Sequence, residues 1–131
     1  MSGQSDNSQS TVNEAFLDAF AEAWNRHDPD AILAMMTPDC AFLPATGPNA
    51  DGARFEGQAD VRAAIETFFK NFPDASWNNP KHFITGNRGV TEWLFKATGP
   101  NGAIETYGCD IFVFKDGKIA VKDSYRKNRV G

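Results

Sequence analysis

Apolar positions recur along this chain with two different periods. From Val12 they fall at Phe16, Ala19, Phe20, Ala23 and His27, with Trp24 beside them, while Asp18, Glu22 and Arg26 take the other side. That spacing predicts an amphipathic first helix. Thr11-Val12-Asn13-Glu14 has the form of a capping box to open it. Asp28 as N-cap and Pro29 at the first helical position start a short second helix, Pro29 to Met36, which buries Ile32, Leu33 and Met36. Cys40 to Leu43 reads as a short strand, and the Gly-, Pro- and Asn-rich run Pro44 to Gly52 as a long loop of the kind that rims sites. Phe55-Glu56-Gly57 leads into a third helix, Gln58 to Asn71, with Val61, Ile65, Phe68, Phe69 and Phe72 on its apolar face.

Beyond Pro73 the period changes to two. Ser76 to Thr85 reads as a strand interrupted at Asn79-Pro80, where a proline implies an edge or a bulge. Val90 to Thr98 alternates Thr91, Trp93, Phe95 and Ala97 with Glu92, Leu94 and Lys96. Thr106 to Phe114 and Lys118 to Arg126 form a hairpin about Lys115-Asp116-Gly117, since Asp-Gly between β-rich runs is a strong turn signal. The order helix, helix, strand, helix and four antiparallel strands predicts an α+β fold. Three N-terminal helices would pack on one face of a curved, mainly antiparallel sheet, forming a cone around an apolar pocket. Phe20, Trp24, Phe42, Phe55, Phe69, Trp93, Phe95 and Phe112 are its candidate walls. The alternative is that these rings simply fill the core.

A chain of 131 residues suffices for one core, so residues 11–131 are expected as a single domain. Residues 1–10 are polar throughout and read as a flexible tail, not a signal peptide. The net charge of −4 argues against nucleic acid or an anionic membrane as partner, and no apolar run is long enough for a membrane span. Cys40 and Cys109 lack Cys-x-x-Cys spacing and read as buried thiols in a reducing compartment, with a cytoplasmic location expected. There is no phosphate loop, dinucleotide fingerprint, Ser-His-Asp order or metal-ligand spacing, so neither cofactor nor metal is expected. His27 sits at a helix C-terminus, and His82 either faces the pocket or is structural.

Asp110 is the anomaly of the hairpin. Phe112 and Phe114 follow it on one face, and Tyr107, Cys109, Ile111 and Val113 occupy the other. A strand apolar on both faces is covered on both, so this carboxylate must find a partner, shift its pKa or line a cavity. It reads either as a pocket acid that moves a proton or as a structural acid held by backbone, by Tyr125 or by a Lys or Arg. Alternation on the last strand leaves two choices for the pocket: Lys122, Ser124 and Arg126, or Asp123 and Tyr125. The segment Arg126 to Arg129 otherwise reads as a solvated tail. The other sheet face carries Leu94, Cys109, Ile111 and Val113 with no helix to cover it, as expected of a surface covered by another chain.

Trp24-Asn25-Arg26-His27-Asp28-Pro29-Asp30-Ala31, Pro38-Asp39-Cys40-Ala41-Phe42, Phe55-Glu56-Gly57 and Phe114-Lys115-Asp116-Gly117-Lys118-Ile119, in this order, resemble the nuclear transport factor 2-like superfamily, and within it the SnoaL-like or ketosteroid-isomerase-like branch. The resemblance spans about Val12 to Arg126. It implies that Asp110 stands where ketosteroid isomerase keeps its protonated acid, while the tyrosine and base positions fall on Phe20 and near Pro44. The positions of the limonene-epoxide-hydrolase triad fall on Trp93, Phe95 and Ser124. The resemblance further implies that Lys122, Ser124 and Arg126 face the pocket and that the outer sheet face pairs a homodimer. The implied function is binding of a small hydrophobic molecule. A cofactor-free isomerase, cyclase or dehydratase using Asp110 as acid/base is one form of it; a non-catalytic binder or dimerisation module is the alternative.

Overall fold

A computed structural model describes residues 12–130. The expected tail at residues 1–10, and Thr11 of the expected capping box, lie outside the described residues. Helix α1 (Glu14–Asn25) has Asn13 as its N-cap instead, the Asn13 side chain accepting the Phe16 N–H at 2.9 Å. Its buried face is Leu17, Phe20, Ala23 and Trp24, so Leu17 takes the core place expected for Ala19, which is exposed. Helix α2 (Pro29–Ala34) has the expected start: Asp28 accepts the Ala31 N–H at 3.2 Å and Pro29 opens the first turn. It stops short of Met36, which instead begins strand β1 (Met36–Leu43) and pairs with Ile119.

Strand β2 (Phe55–Glu56) and helix α3 (Gln58–Asn71) follow, then β3 (Ser76–Thr85), β4 (Arg88–Gly99), β5 (Gly102–Lys115) and β6 (Lys118–Arg126). Among the described residues these strands form one sheet in the order β2-β1-β6-β5-β4-β3. Only β1 and β6 run parallel; the remaining neighbours are antiparallel. The expected α+β class and the four-strand meander are therefore present. α1 packs against β3 and α3 against β1, so the aromatic core lies between the helices and one face of the sheet.

Two irregularities decide which side chains face that core. The β3–β4 register shifts between Asn78 and Lys81, with Asn79 at φ 56°, where Pro80 cannot donate to the ladder. In the hairpin, Asp116 and Gly117 take φ of 54° and 74°, the left-handed pair a tight primed turn needs. Just beyond it Phe114 pairs with Ile119 but Val113 with Val121, leaving Ala120 as an unpaired bulge. A bulge resets alternation. Ile119 and Lys122 are thus both buried, whereas simple alternation puts Ile119 with Val121, Asp123 and Tyr125.

Candidate functional site

The site begins with the register of three strands. Asp110 on β5 lies between Thr91 on β4 and Ser124 on β6, and Lys122 lies opposite Phe112. Asp110 Oδ1 accepts hydrogen bonds from Ser124 Oγ at 2.6 Å and Lys122 Nζ at 3.0 Å. Asp110 Oδ2 accepts one from Trp93 Nε1 at 3.0 Å. Lys122 Nζ also donates to Ser124 Oγ at 2.9 Å. The side chains of Lys122 and Asp110 are 5% and 9% exposed, so this is a buried ion pair. Such a pair is tolerated only when the remaining lone pairs and protons find partners. The ammonium also lies 4.2 Å from the ring centre of Trp24 and 4.9 Å from that of Phe42, where the ring quadrupoles favour it.

Trp93 reaches Asp110 because its cross-strand neighbour is Gly108. A Cβ on Gly108 would meet the Trp93 ring at 2.6 Å. The missing side chain lets the indole lie flat on β5 and aim its N–H at the carboxylate two residues along.

Three spaces surround this node and share walls. An inner chamber of about 20 Å³ is lined by Phe20, Trp24, Thr91, Trp93, Asp110 and Lys122, among others. A throat of about 30 Å³ lies against Trp24, Phe42, Phe68, Lys122, Ser124 and Arg126. A mouth of about 400 Å³ opens between α3 and the loop after β1; Phe42, Phe55, Phe68, Phe72 and Arg126 are among its walls. The mouth has the size of a small-molecule site, whereas each inner space has room for about one water. Instead of one enclosed pocket, then, an open mouth lies beside two small chambers, and the rings of Trp24, Phe68, Trp77 and Trp93 fill much of the rest.

Donors are left over beside these chambers. Lys122 uses two of its three N–H groups on Asp110 and Ser124. Trp24 Nε1 is buried and, among the described residues, has no partner. Trp24 and Lys122 line both inner chambers.

The sequence-predicted residues divide accordingly. Asp110, Phe20, Trp24, Trp93, Phe112 and Lys122 surround the inner chamber, Ser124 the throat, Phe42 the throat and mouth, and Phe55 the mouth. Phe69 is packed into the core, stacked on the His27 ring at 4.2 Å, and Phe95 is fully buried. His82 lines none of these spaces. Its ring bridges Asp18 at 2.7 Å and Thr91 at 2.8 Å, tying α1 to the sheet, which corrects its placement in the pocket. Tyr125 is also corrected: it is 54% exposed and faces away from the helices, since the bulge at Ala120 leaves Lys122, Ser124 and Arg126 pointing inward. Arg126 is no solvated tail. It is half-buried, with its guanidinium 4.7 Å above the Phe95 ring, and burial lowers its pKa. Trp77 and Phe68 also line the site; Phe68 was legible as a helix-face residue, whereas Trp77 stands in a largely polar strand that gave no sign of it.

On the outer sheet face Tyr107, Tyr125 and Phe83 are exposed, and Ile111, Val113 and Cys109 are half-buried. Burial is the main cause that pushes up the Cys109 and Cys40 thiols, which keeps them from being thiolates. Cys109, only half-buried, is less buried than expected. Among the described residues no three His, Cys, Asp or Glu side chains are grouped to hold a metal, and no helix is long and apolar enough to cross a membrane.

Comparison with known proteins agrees with this fold. A SnoaL-like domain matches residues 17–122, and the chain belongs to that family. It is similar in structure to a candidate polyketide cyclase from Xanthomonas campestris pv. campestris (21% identity, 92% of this chain and 93% of that one, TM-score 0.78). It is also similar to a protein with a ketosteroid isomerase-like fold from Catenulispora acidiphila, solved in complex with trimethylamine (14% identity, 87% and 86%, TM-score 0.75). TerC, co-crystallised with polyporic acid, is a third (18% identity, 86% and 89%, TM-score 0.73). At these identities the likeness is one of fold. No curated protein matches the sequence. The chain is thus SnoaL-like, as the resemblance implied, with a fold like that of proteins described as ketosteroid isomerase-like.

Proposed function

We propose that this chain binds a small, largely apolar carbonyl compound in its cone and moves a proton within it without a cofactor, as an isomerase, cyclase or dehydratase. The observation that carries this reading is the partnerless Nε1 of Trp24 beside the inner chambers, next to Lys122, whose third N–H has no oxygen acceptor among the described residues and only the Trp24 and Phe42 rings nearby. A buried donor without a partner is costly, and a carbonyl oxygen would satisfy it. In the isomerase form, Asp110 takes a proton from the carbon beside that carbonyl and returns it at another position. Lys122 and Trp24 hold the negative oxygen in between, and the substrate gains and loses nothing. Asp110 Oδ2, which accepts only the Trp93 N–H, has a lone pair for that proton. For a ligand to reach the chambers, Trp24, Phe68 or Trp93 must shift. Structural relatives solved with polyporic acid and with trimethylamine support occupancy of this fold by small molecules.

A second reading, binding without turnover, is favoured by the full engagement of Asp110 by three donors. A thermal-shift screen with steroids, polyketide-like phenols and terpenoids separates the two. The enzymatic reading expects a ligand that stabilises the protein and is chemically altered over hours by wild type but not by Asp110→Asn. Equal stabilisation of both proteins with an unaltered ligand would leave binding alone, and no shift with any class would remove both. We further propose that the chain forms a homodimer through the outer sheet face, which the apolar residues there support.

A further inference from the structure

The mouth of the cone holds a cation without a counter-charge. Arg62, Arg54 and Arg26 pair with carboxylates, Arg129 donates to the Glu105 carbonyl oxygen, and Arg88 is exposed to water. Arg126 is half-buried, and among the described residues its guanidinium has neither a carboxylate partner nor a side-chain hydrogen bond. Its Cζ lies 4.7 Å from the centre of the Phe95 ring, in a ring cluster that includes Phe68, Phe72 and Trp77. The mouth it borders is walled by Phe42, Phe55, Phe68 and Phe72, with Thr46, Thr67 and Asn71 as its polar members and no acid at all. Burial already depresses the Arg126 pKa, as expected of a charge desolvated without compensation.

We infer that the ligand is an amphipathic organic anion, an aryl or similarly apolar carboxylate whose carboxylate is clamped by Arg126 while its apolar body lies on the phenylalanines of the mouth. The guanidinium has a planar fork of donors that matches a carboxylate, and its cation–π contact with Phe95 holds it at the mouth. Every other wall of the mouth is neutral, so the charge of the ligand is read at this one residue. The inference rests on the cone being a small-molecule site and adds the class of molecule it takes.

The test is calorimetric titration of cinnamate and naphthoate against their primary amides, which keep the shape and remove the charge. Wild type is expected to favour the acids by about tenfold or more, the value of a charge-assisted pair. Arg126→Gln should bind acid and amide alike at the affinity of the amide, and Arg126→Lys should keep part of the preference. Arg88→Gln, an exposed arginine outside the mouth, should leave the preference intact. Equal binding of acid and amide by wild type would overturn the anion assignment and leave the small-molecule site standing. So would an Arg88→Gln variant that loses the preference as fully as Arg126→Gln does. If wild type binds neither acids nor amides, both readings fall.

Discussion

Lys122 Nζ lies 3.0 Å from Asp110 Oδ1, across two adjacent strands and almost wholly out of water. The pair survives burial because Ser124, Trp93 and the Trp24 face complete it. Removing one partner leaves an uncompensated buried charge, which costs about 3–5 kcal/mol. Lys122→Met is therefore expected to lose stability of that order in urea unfolding. The double variant Lys122→Met with Asp110→Leu should recover part of the loss, since no buried charge is left, while Trp93 Nε1 and Ser124 Oγ lose their acceptor. A double variant no more stable than Lys122→Met would show that the network, not the charge, holds this part of the core.

Gly108 supplies the flat floor on which Trp93 reaches Asp110. Gly108→Ala would bring its Cβ to 2.6 Å from the Trp93 ring and 2.4 Å from the Tyr125 carbonyl oxygen. The backbone must yield or the indole must move. A loss of about 1–3 kcal/mol is expected, as for other overpacked sites, together with a changed Trp fluorescence spectrum. Unchanged stability and spectrum would mean that the strands part there at little cost.

Most of the fold was legible because its signals are local. The Asp28-Pro29 start of α2, the 58–71 span of α3, the break at Asn79-Pro80 and the Asp116-Gly117 turn are each written in adjacent residues. The site was half legible. Asp110 stood out as an acid among Phe, Ile and Val, and its partner does come from the last strand. What the sequence left open was the parity of β6, because one unpaired residue, Ala120, carries no marker such as Gly or Pro. His82 took the structural one of its two open places, and Arg126 the pocket place the resemblance implies and not the tail, for a related reason. Where a side chain ends up depends on α1 and on the Phe95 ring, both distant in sequence.

The outer sheet face gives a prediction on assembly. Ile111, Val113 and Cys109 are half-buried there with Tyr107 and Tyr125 exposed beside them, and among the described residues no helix covers them. Light scattering at micromolar concentration is expected to give the mass of a dimer for wild type. Ile111→Glu should give a monomer that keeps its circular dichroism, since a charge in an apolar interface is unpaired and desolvated. A monomeric wild type would contradict the homodimer.

Asp123 gives a prediction on pH. It lies on β6 between Lys122 and Ser124 but is turned to the outer face, partly buried, and burial is the main cause that raises its pKa; the Tyr125 hydroxyl, 3.3 Å away, offsets this only in part. A raised pKa means that the folded state holds the proton more tightly than the unfolded chain does. The contribution of Asp123 to stability is then fully present below the unfolded carboxylate value of about 4 and is lost as pH rises through the folded value. Ionised Asp123 therefore works against folding near neutral pH, and Asp123→Asn, which cannot ionise, removes that cost. The variant should melt above wild type at about pH 7, and the gap should narrow as pH falls toward about 4. Thermal unfolding followed by circular dichroism across that range reads it directly. A variant that melts lower at neutral pH, by a margin that grows with pH, would show that attraction to Arg54, which favours the charged form, outweighs desolvation.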